Sequence, residues 1–305
     1  MKKFTCATIL AACLLPLPCL AQTGDAASWA TLLQNHYQVY PDQVYGTANN
    51  VELKLDVWEN QDTKTPLPTV IYIHGGGWVF GDRAGAVPEL LPYLQKGWNV
   101  VNVEYRMASQ SLAPAAVEDS RCALRWVYRN AGQYHFDTDR LIVTGHSAGG
   151  HLALTTGMLT DDAGFDNNCP AEPSLGEKPL KVAAIVNWYG ISNVADLLDG
   201  KNRRTYAIEW LGNQPDRLAL AKRLSPLTYV AGAPPVITIH GDADPTVPYS
   251  QAVELRDALT KAHVANELIT VPGGKHGFQA FNDAQTLDAY QKIFAFLSAN
   301  IAGLK

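Results

Sequence analysis

The sequence lacks the features of nucleic-acid-binding and membrane-spanning proteins. Its 24 lysine and arginine residues form no basic run, and the formal net charge of the 305-residue chain is −5. A nucleic-acid partner is therefore not expected. The apolar stretch Ile9–Leu20 is short for a helix that crosses a bilayer, and no later stretch reaches spanning length. We therefore expect no membrane span.

Motifs for metal ions and nucleotides are also missing. The sequence contains neither an H-E-x-x-H pair nor a cluster of cysteine and histidine, so a metal mechanism has no support. The glycines of His74-Gly-Gly-Gly77 could cradle a phosphate, but neither G-x-x-x-x-G-K-[ST] nor G-x-G-x-x-G spacing follows them. We therefore expect neither a metal ion nor an organic cofactor.

Residues 1–21 have the pattern of a signal peptide. Two lysines precede the apolar stretch, and Cys19-Leu-Ala21 resembles a cleavage site that leaves a mature chain starting near Gln22. This pattern predicts a secreted or periplasmic protein. Leu10-Ala-Ala-Cys13 also resembles a lipoprotein processing site. Lipid anchoring ranks second, because the residues after Cys13 stay apolar.

The predicted mature chain keeps two cysteines, Cys122 and Cys169. In an oxidising compartment they can pair, or they can be unrelated thiols on a helix and a loop. A disulfide requires a short distance between the two Cα atoms, which the sequence does not give. The sequence leaves the pairing open, as it does the oligomeric state.

Predicted strands and helices alternate along the chain. Apolar runs typical of buried strands lie at Thr69–Ile73, Trp98–Glu104, Leu141–Thr144, Val182–Trp188, Pro235–His240 and Glu267–Val271. Predicted helices lie at residues 28–36, 87–96, 113–131, 250–263 and 287–301. The alternation predicts one α/β domain over residues 22–305, with a mostly parallel central sheet and helices on both faces.

Three stretches depart from this alternation. Val51–Val57 alternates apolar and polar residues, which predicts a half-exposed strand at an antiparallel edge. Asp137–Arg140 is predicted to be a loop. Residues 190–230 carry only short helical pieces between turns, and we expect a small lid-like insertion over the sheet there.

The segment Leu141–Gly150 joins a predicted buried strand to the pentapeptide Gly145-His-Ser-Ala-Gly149. A strand that turns abruptly into a helix at G-x-S-x-G exposes the serine hydroxyl at the top of a sheet. The two glycines let the strand and the helix approach each other. An ordinary strand–turn–helix junction is the alternative interpretation. Ser147 is the candidate nucleophile.

A serine nucleophile needs a base that takes its proton and an acid that orients the base. His276 lies on a glycine-rich loop after a predicted strand and is the candidate base. Asp242 and Asp244 both follow another predicted strand. Asp244 is favoured because it lies further from the strand end, whereas Asp242 is placed to hydrogen-bond the turn.

An ester carbonyl that is attacked by serine develops a negative charge on its oxygen, which needs fixed donors. The backbone N–H groups of Gly76 and Gly77, together with that of Ala148, are the candidate oxyanion hole. His74 is expected to hold the glycine loop. His146 and the nearby His151 are expected to pack or cap around the serine turn, and His240 to lie within or at the end of a strand.

The order of these parts along the chain is glycine loop, serine, aspartate and histidine, as in α/β-hydrolases. The chain resembles that superfamily, in particular the bifunctional feruloyl and acetyl xylan esterases and the hormone-sensitive-lipase-like carboxylesterases. The matching motifs are His74–Trp78 with Gly81-Asp82, Glu104-Tyr-Arg106, Pro114–Asp119, Gly145–Gly150, His240–Pro245 and His276-Gly-Phe278.

The resemblance implies that Ser147 is the nucleophile, Asp244 the orienting acid and His276 the general base. It also implies an oxyanion hole from the glycine loop and Ala148. His146 stands where the hormone-sensitive-lipase branch often has aspartate, and this difference favours the xylan-esterase-like group. Asn187-Trp-Tyr-Gly190 also resembles that group.

The sequence therefore predicts an exported serine carboxylesterase for small-molecule or carbohydrate esters, including acetyl or feruloyl esters of plant polysaccharide. Trp78, Trp188 and Tyr189 are candidate substrate contacts, and aromatic packing beneath a lid is the alternative for all three. An amidase, arylformamidase or peptidase on the same triad is the alternative enzymatic interpretation. A non-enzymatic binding protein on a hydrolase scaffold is the third interpretation, and the intact triad disfavours it.

Overall fold

The computed structural model describes residues 30–170 and 180–304. The chain divides into two units, Met1–His36 and Tyr37–Lys305. In the first unit, residues 30–36 are helical (α1). The predicted signal peptide lies outside the described residues. None of the helices in the described ranges combines the length and apolarity needed to cross a membrane.

The described part of the second unit contains an eight-stranded sheet. Its strands are β1 Tyr37–Ala48, β2 Val51–Asn60, β3 Leu67–Ile73, β4 Asn99–Val103, β5 Phe136–His146, β6 Ala184–Trp188, β7 Val236–Gly241 and β8 Asn266–Val271. Their order across the sheet is β1-β2-β4-β3-β5-β6-β7-β8. The pairs β1–β2 and β2–β4 are antiparallel, and the strands from β4 to β8 run parallel.

Helices follow most of the parallel strands. They are α2 Val87–Gln95, α3 Ala115–Arg129, α4 Ala148–Met158, α5 Thr205–Leu211, α6 Arg217–Arg223, α7 Ser250–Lys261 and α8 Asp283–Asn300. Every residue of β4 and β6 is buried, so both faces of the central sheet are covered, as parallel sheets require. The predicted α/β-hydrolase architecture is confirmed.

Two local predictions about the strands are corrected by the structure. Asp137–Arg140, predicted as a loop, is the first part of β5, and the pairing of β5 with β3 shifts register just before Leu141. Its side chains are polar and mostly half-exposed, so this part of the strand has no apolar pattern in the sequence. Val51–Val57 lies in β2, one place in from the edge. The edge strand is β1, whose alternation is interrupted by two irregularities in register.

Residues 190–230 contribute α5 and α6 and pack beside the glycine loop. The ring of Trp210 stacks on that of Trp78 with centroids 4.1 Å apart. The Tyr206 hydroxyl donates to the backbone oxygen of Thr246 at 3.2 Å. This segment packs against Trp78 and Thr246, and its role as a lid stays a prediction.

A disulfide joins Cys122 on α3 to Cys169, with Cα atoms 5.1 Å apart. The bond closes a separation of 47 residues along the chain. It settles the pairing that the sequence leaves open.

Candidate active site

The turn between β5 and α4 places Ser147 at the carboxyl edge of the sheet. Its backbone has φ 56° and ψ −120°, a left-handed conformation that is strained for any residue except glycine. A Cβ atom added at Gly145 would lie 2.3 Å from the backbone oxygen of Ile73, and one at Gly149 would lie 2.0 Å from the same oxygen. Glycine at both positions is therefore what allows the strand and the helix to meet at this turn.

The structure brings three predicted side chains together from distant parts of the chain. His276 Nε2 lies 3.0 Å from Ser147 Oγ, and His276 Nδ1 lies 2.7 Å from Asp244 Oδ2. Because a carboxylate only accepts, Nδ1–H donates to Asp244, and Nε2 accepts from the serine hydroxyl. The imidazole is therefore oriented to take the proton of Ser147.

Asp244 is a buried carboxylate with several donors around it. The amides of Thr246 and Val247 donate to Oδ1 at 2.7 and 2.9 Å. Burial raises the pKa of the Asp244 carboxyl, but bonds from His240, His276 and the Val247 amide outweigh burial and hold that pKa well below its usual range. The carboxylate therefore stays charged beside the imidazole.

His240 is a neighbour of the triad whose place the sequence does not reveal. Its fully buried ring places Nε2 3.0 Å from the backbone oxygen of Val247 and 3.4 Å from Asp244 Oδ2. It thus lies against the same carboxylate oxygen, Oδ2, that His276 contacts. The signal that could have found it is the i,i+4 spacing of His240 and Asp244 across the strand end. Asp242 instead accepts from the Gly273 amide at 2.7 Å, so its carboxylate joins the loop after β7 to the loop after β8 rather than bonding within its own turn.

The three candidate oxyanion donors are free to bind a substrate oxygen. Among the described residues, none accepts a hydrogen bond from the backbone N–H of Gly76, Gly77 or Ala148. Gly76 and Gly77 have φ of +118° and +59°, and a Cβ atom at Gly76 would lie 1.7 Å from the backbone oxygen of Phe80. The loop conformation therefore depends on glycine there.

Two histidines fix the glycine loop, in line with the structural roles expected for them. The Gly75 N–H donates to His146 Nε2 at 3.2 Å, so Nδ1 carries the proton and donates to the Tyr72 hydroxyl oxygen at 2.9 Å. Burial, together with His74 and His276, lowers the pKa of His146 to about 4. His74 Nδ1 lies 2.8 Å from the Gly75 oxygen. The N–H and the oxygen of Gly75 are therefore each bonded to one of the two histidines.

The three aromatic residues proposed as substrate contacts are fully buried. Trp78 packs on Trp210, and Trp188 packs on Phe278 with ring centroids 4.8 Å apart. Tyr189 lies edge-on to the imidazole of His276, with centroids 4.9 Å apart. The structure thus gives Trp78, Trp188 and Tyr189 the packing role that the sequence left as the alternative.

Comparisons with known proteins agree with this geometry. Residues 55–259 match the family BD-FAE. Esterase LipC of Mycobacterium tuberculosis is 29% identical over 257 residues, which cover 80% of this chain and 61% of LipC. Among solved structures, the bifunctional GH43-CE of Bacteroides eggerthii has a TM-score of 0.75 and 29% identity, with coverage of 87% of this chain and 38% of that protein.

A second solved structure, a truncated form of a carbohydrate esterase from gut microbiota, has a TM-score of 0.68 and 26% identity. The match covers 86% of this chain and 97% of that one. Against LipC, by contrast, the chain spans less than two thirds of the relative's length. The family match at residues 55–259 includes the glycine loop, Ser147 and Asp244, and it ends before His276.

Proposed function

The chain belongs to the BD-FAE family of the α/β-hydrolase superfamily, and on this premise we propose that it is a serine carboxylesterase for small acyl esters. The observation that carries the proposal is the chain of two short contacts from Asp244 through His276 to Ser147, of 2.7 and 3.0 Å. The unpaired amides beside Ser147 support it further.

In the first half of the reaction, Ser147 Oγ attacks the ester carbonyl carbon while its proton moves to His276 Nε2. The carbonyl oxygen becomes an oxyanion that accepts from the amides of Gly76, Gly77 and Ala148. Asp244 stabilises the imidazolium that forms. When the tetrahedral intermediate collapses, His276 returns the proton to the leaving alcohol oxygen, and the acyl group stays on Ser147.

In the second half, a water molecule gives its proton to His276 Nε2 and attacks the acyl carbon. The same amides hold the second oxyanion. The bond to Ser147 Oγ then breaks, His276 reprotonates that oxygen, and the carboxylic acid leaves. Each proton that His276 takes in one step is returned in the next, so the enzyme ends in its starting state.

For the substrate, we propose acetyl or feruloyl esters of plant polysaccharide. Support comes from two structural neighbours, a bifunctional GH43-CE and a carbohydrate esterase. A panel of acetyl, butyryl and feruloyl esters with acetylated xylan tests this choice, and an arylformamide assayed alongside separates an esterase from an amidase.

The test of the mechanism is the Ser147→Ala variant. We expect it to keep the wild-type circular dichroism spectrum and to lose at least about 10³-fold in kcat for p-nitrophenyl acetate. Turnover at the wild-type rate in a folded Ser147→Ala protein would contradict the proposed nucleophile.

We also propose that the protein is exported after cleavage near Gln22. The disulfide between Cys122 and Cys169 supports this, because disulfides persist mainly in oxidising compartments. Mass spectrometry of protein from the periplasm or medium should find a mature chain that begins near residue 22. Full-length chain confined to the cytoplasm contradicts export.

A further inference from the structure

A cavity of about 240 Å³ opens beside the proposed catalytic serine. Its wall includes Gly76, which supplies one of the proposed oxyanion donors, and His146, which directly precedes Ser147. The cavity therefore adjoins the position where an ester carbonyl would react. A group that fills it is attached to the reacting ester or lies next to it.

Two carboxylates line this cavity, beside the imidazoles of His74 and His146. Glu89 lines it, and its Oε2 is buried without a hydrogen-bond partner. Asp82 also lines it, with Oδ1 accepting from the Gly85 amide at 2.7 Å. Glu89 is half-buried and Asp82 is exposed, so both carboxylates can accept hydrogen bonds from a ligand in the cavity. Among the described residues that line the cavity, none is lysine or arginine.

Phe80 adds an aromatic side chain to the wall of the same cavity. It is 68% exposed, so its side chain is accessible to a ligand from solvent. Its backbone N–H donates to the Gly76 oxygen at 3.1 Å, so the residue is fixed to the glycine loop independently of its side chain. The backbone of Phe80 is therefore held beside the proposed oxyanion donor of Gly76, and its exposed ring is available to a ligand there.

We propose that this cavity binds the sugar ring on the alcohol side of the ester, with Phe80 against its apolar face and Glu89 and Asp82 accepting from its hydroxyl groups. The inference rests on the proposed function, which supplies the ester. Sugar rings offer C–H faces that pack on aromatic rings and hydroxyl groups that donate to carboxylates, and the wall presents both partners. An anionic group is disfavoured, because the side chains that line the cavity bring negative charge.

A cationic alcohol such as choline is the competing occupant, since carboxylates and an aromatic ring also attract cations. The cavity fits it less well. Phe80 is the one aromatic carbocycle among the described lining residues, whereas cages for quaternary ammonium groups use several. Burial also raises the pKa of Glu89, which weakens it as a counter-ion while leaving it able to bond a hydroxyl.

The experiment compares kcat/KM for acetylated xylotriose, p-nitrophenyl acetate and acetylcholine in the variants Phe80→Ala, Glu89→Leu and Glu89→Gln. We expect Phe80→Ala and Glu89→Leu to lower the ratio of acetylated xylotriose to p-nitrophenyl acetate by about tenfold. Glu89→Gln keeps an acceptor oxygen and should lose less of that ratio than Glu89→Leu. Leu287→Ala, which removes another exposed apolar side chain (61% exposed) on α8, is the matched control and should leave the ratio unchanged.

Three outcomes overturn the inference. The first is an equal loss on acetylated xylotriose and p-nitrophenyl acetate in the cavity variants. The second is that kcat/KM changes in none of the cavity variants. The third is a loss of kcat/KM that is confined to acetylcholine and is as large in Glu89→Gln as in Glu89→Leu. Failure of the proposed function looks different, because wild-type protein would then hydrolyse none of the three esters.

Discussion

Asp244 shows how single residues set the chemistry of this site. The carboxylate is buried, yet two backbone amides and two histidines surround it. These partners do more than hold its position, since they keep the charge that the imidazole of His276 needs when it takes a proton. Sequence position gave His276 as the candidate base and left Asp242 and Asp244 as candidate acids, with Asp244 favoured. It did not reveal the contact of His240 in β7 with Asp244.

Replacing Asp244 by asparagine should lower kcat by about 10³- to 10⁴-fold, because the amide no longer holds the imidazole in the tautomer that accepts at Nε2. KM should change little. Asp242→Asn is the matched control, as the residue is exposed and its carboxylate bonds only the Gly273 amide among the described residues. Steady-state kinetics on p-nitrophenyl acetate measures both variants. Equal effects of the two substitutions contradict the assignment.

His151 should make the protein less stable at acid pH. Burial lowers its pKa to about 4, while an unfolded histidine has a pKa of about 6.5. As the pH falls below about 6.5, His151 becomes protonated in the unfolded state, whereas in the folded state it stays neutral until about pH 4. The free energy of unfolding therefore decreases across that interval. At about pH 4.5 the loss from this one residue is about 2 to 3 kcal/mol.

His151→Gln removes the titrating group and keeps a donor for the Leu224 oxygen, which lies 2.7 Å from His151 Nε2. Urea unfolding at about pH 7 and about pH 4.5 measures the effect as a difference in the free energy of unfolding. The variant should show a smaller difference between the two pH values than wild type. An identical difference in both proteins rules out this role of His151.

The element that governs the site is the turn from β5 into α4. The sequence predicted it well, because two glycines and a buried strand leave few alternatives once a serine must point away from the sheet. Other elements were harder to predict. The edge strand β1 is interrupted by irregularities in register, and the first residues of β5 are polar and mostly half-exposed. A strand that lacks a buried face shows little periodicity in its sequence.

Gly149→Ala should disrupt this turn. The added Cβ would lie 2.0 Å from the Ile73 oxygen and 2.4 Å from the His74 oxygen, and both are backbone atoms that cannot move away cheaply. We expect a loss of about 3 kcal/mol in the free energy of unfolding. Gly132→Ala is the control, since a Cβ there meets nothing within 4 Å. Thermal or urea unfolding compares them, and equal stability of the two variants contradicts the steric argument.

At the scale of the whole molecule, a mostly parallel sheet with helices on both faces was predictable, because the alternation of predicted strands and helices allows few topologies. The contacts between distant segments were not predictable from the sequence. The pairing of Cys122 with Cys169 and the burial of Trp78 beneath Trp210 both depend on how distant segments meet. Such contacts leave no local pattern in the sequence, so the sequence does not decide whether aromatic residues near the site contact substrate or pack in the interior.

The disulfide should contribute to stability by restricting the unfolded chain. For a loop that spans a separation of 47 residues, the chain-entropy estimate is about 4 kcal/mol. Urea unfolding of wild type in reducing buffer should therefore resemble that of the Cys122→Ser variant, and oxidised wild type should be more stable than both. No effect of reducing agent on wild type contradicts the contribution expected for the bond.

Labelling with a fluorophosphonate tests the central claim most directly, because this reagent reacts with a serine only when its oxygen is activated. Peptide mass spectrometry of treated protein should find one adduct, on Ser147, which is absent in Ser147→Ala and forms far more slowly in His276→Ala. Protein that hydrolyses esters while Ser147 stays unlabelled, or that labels equally fast without His276, contradicts the account.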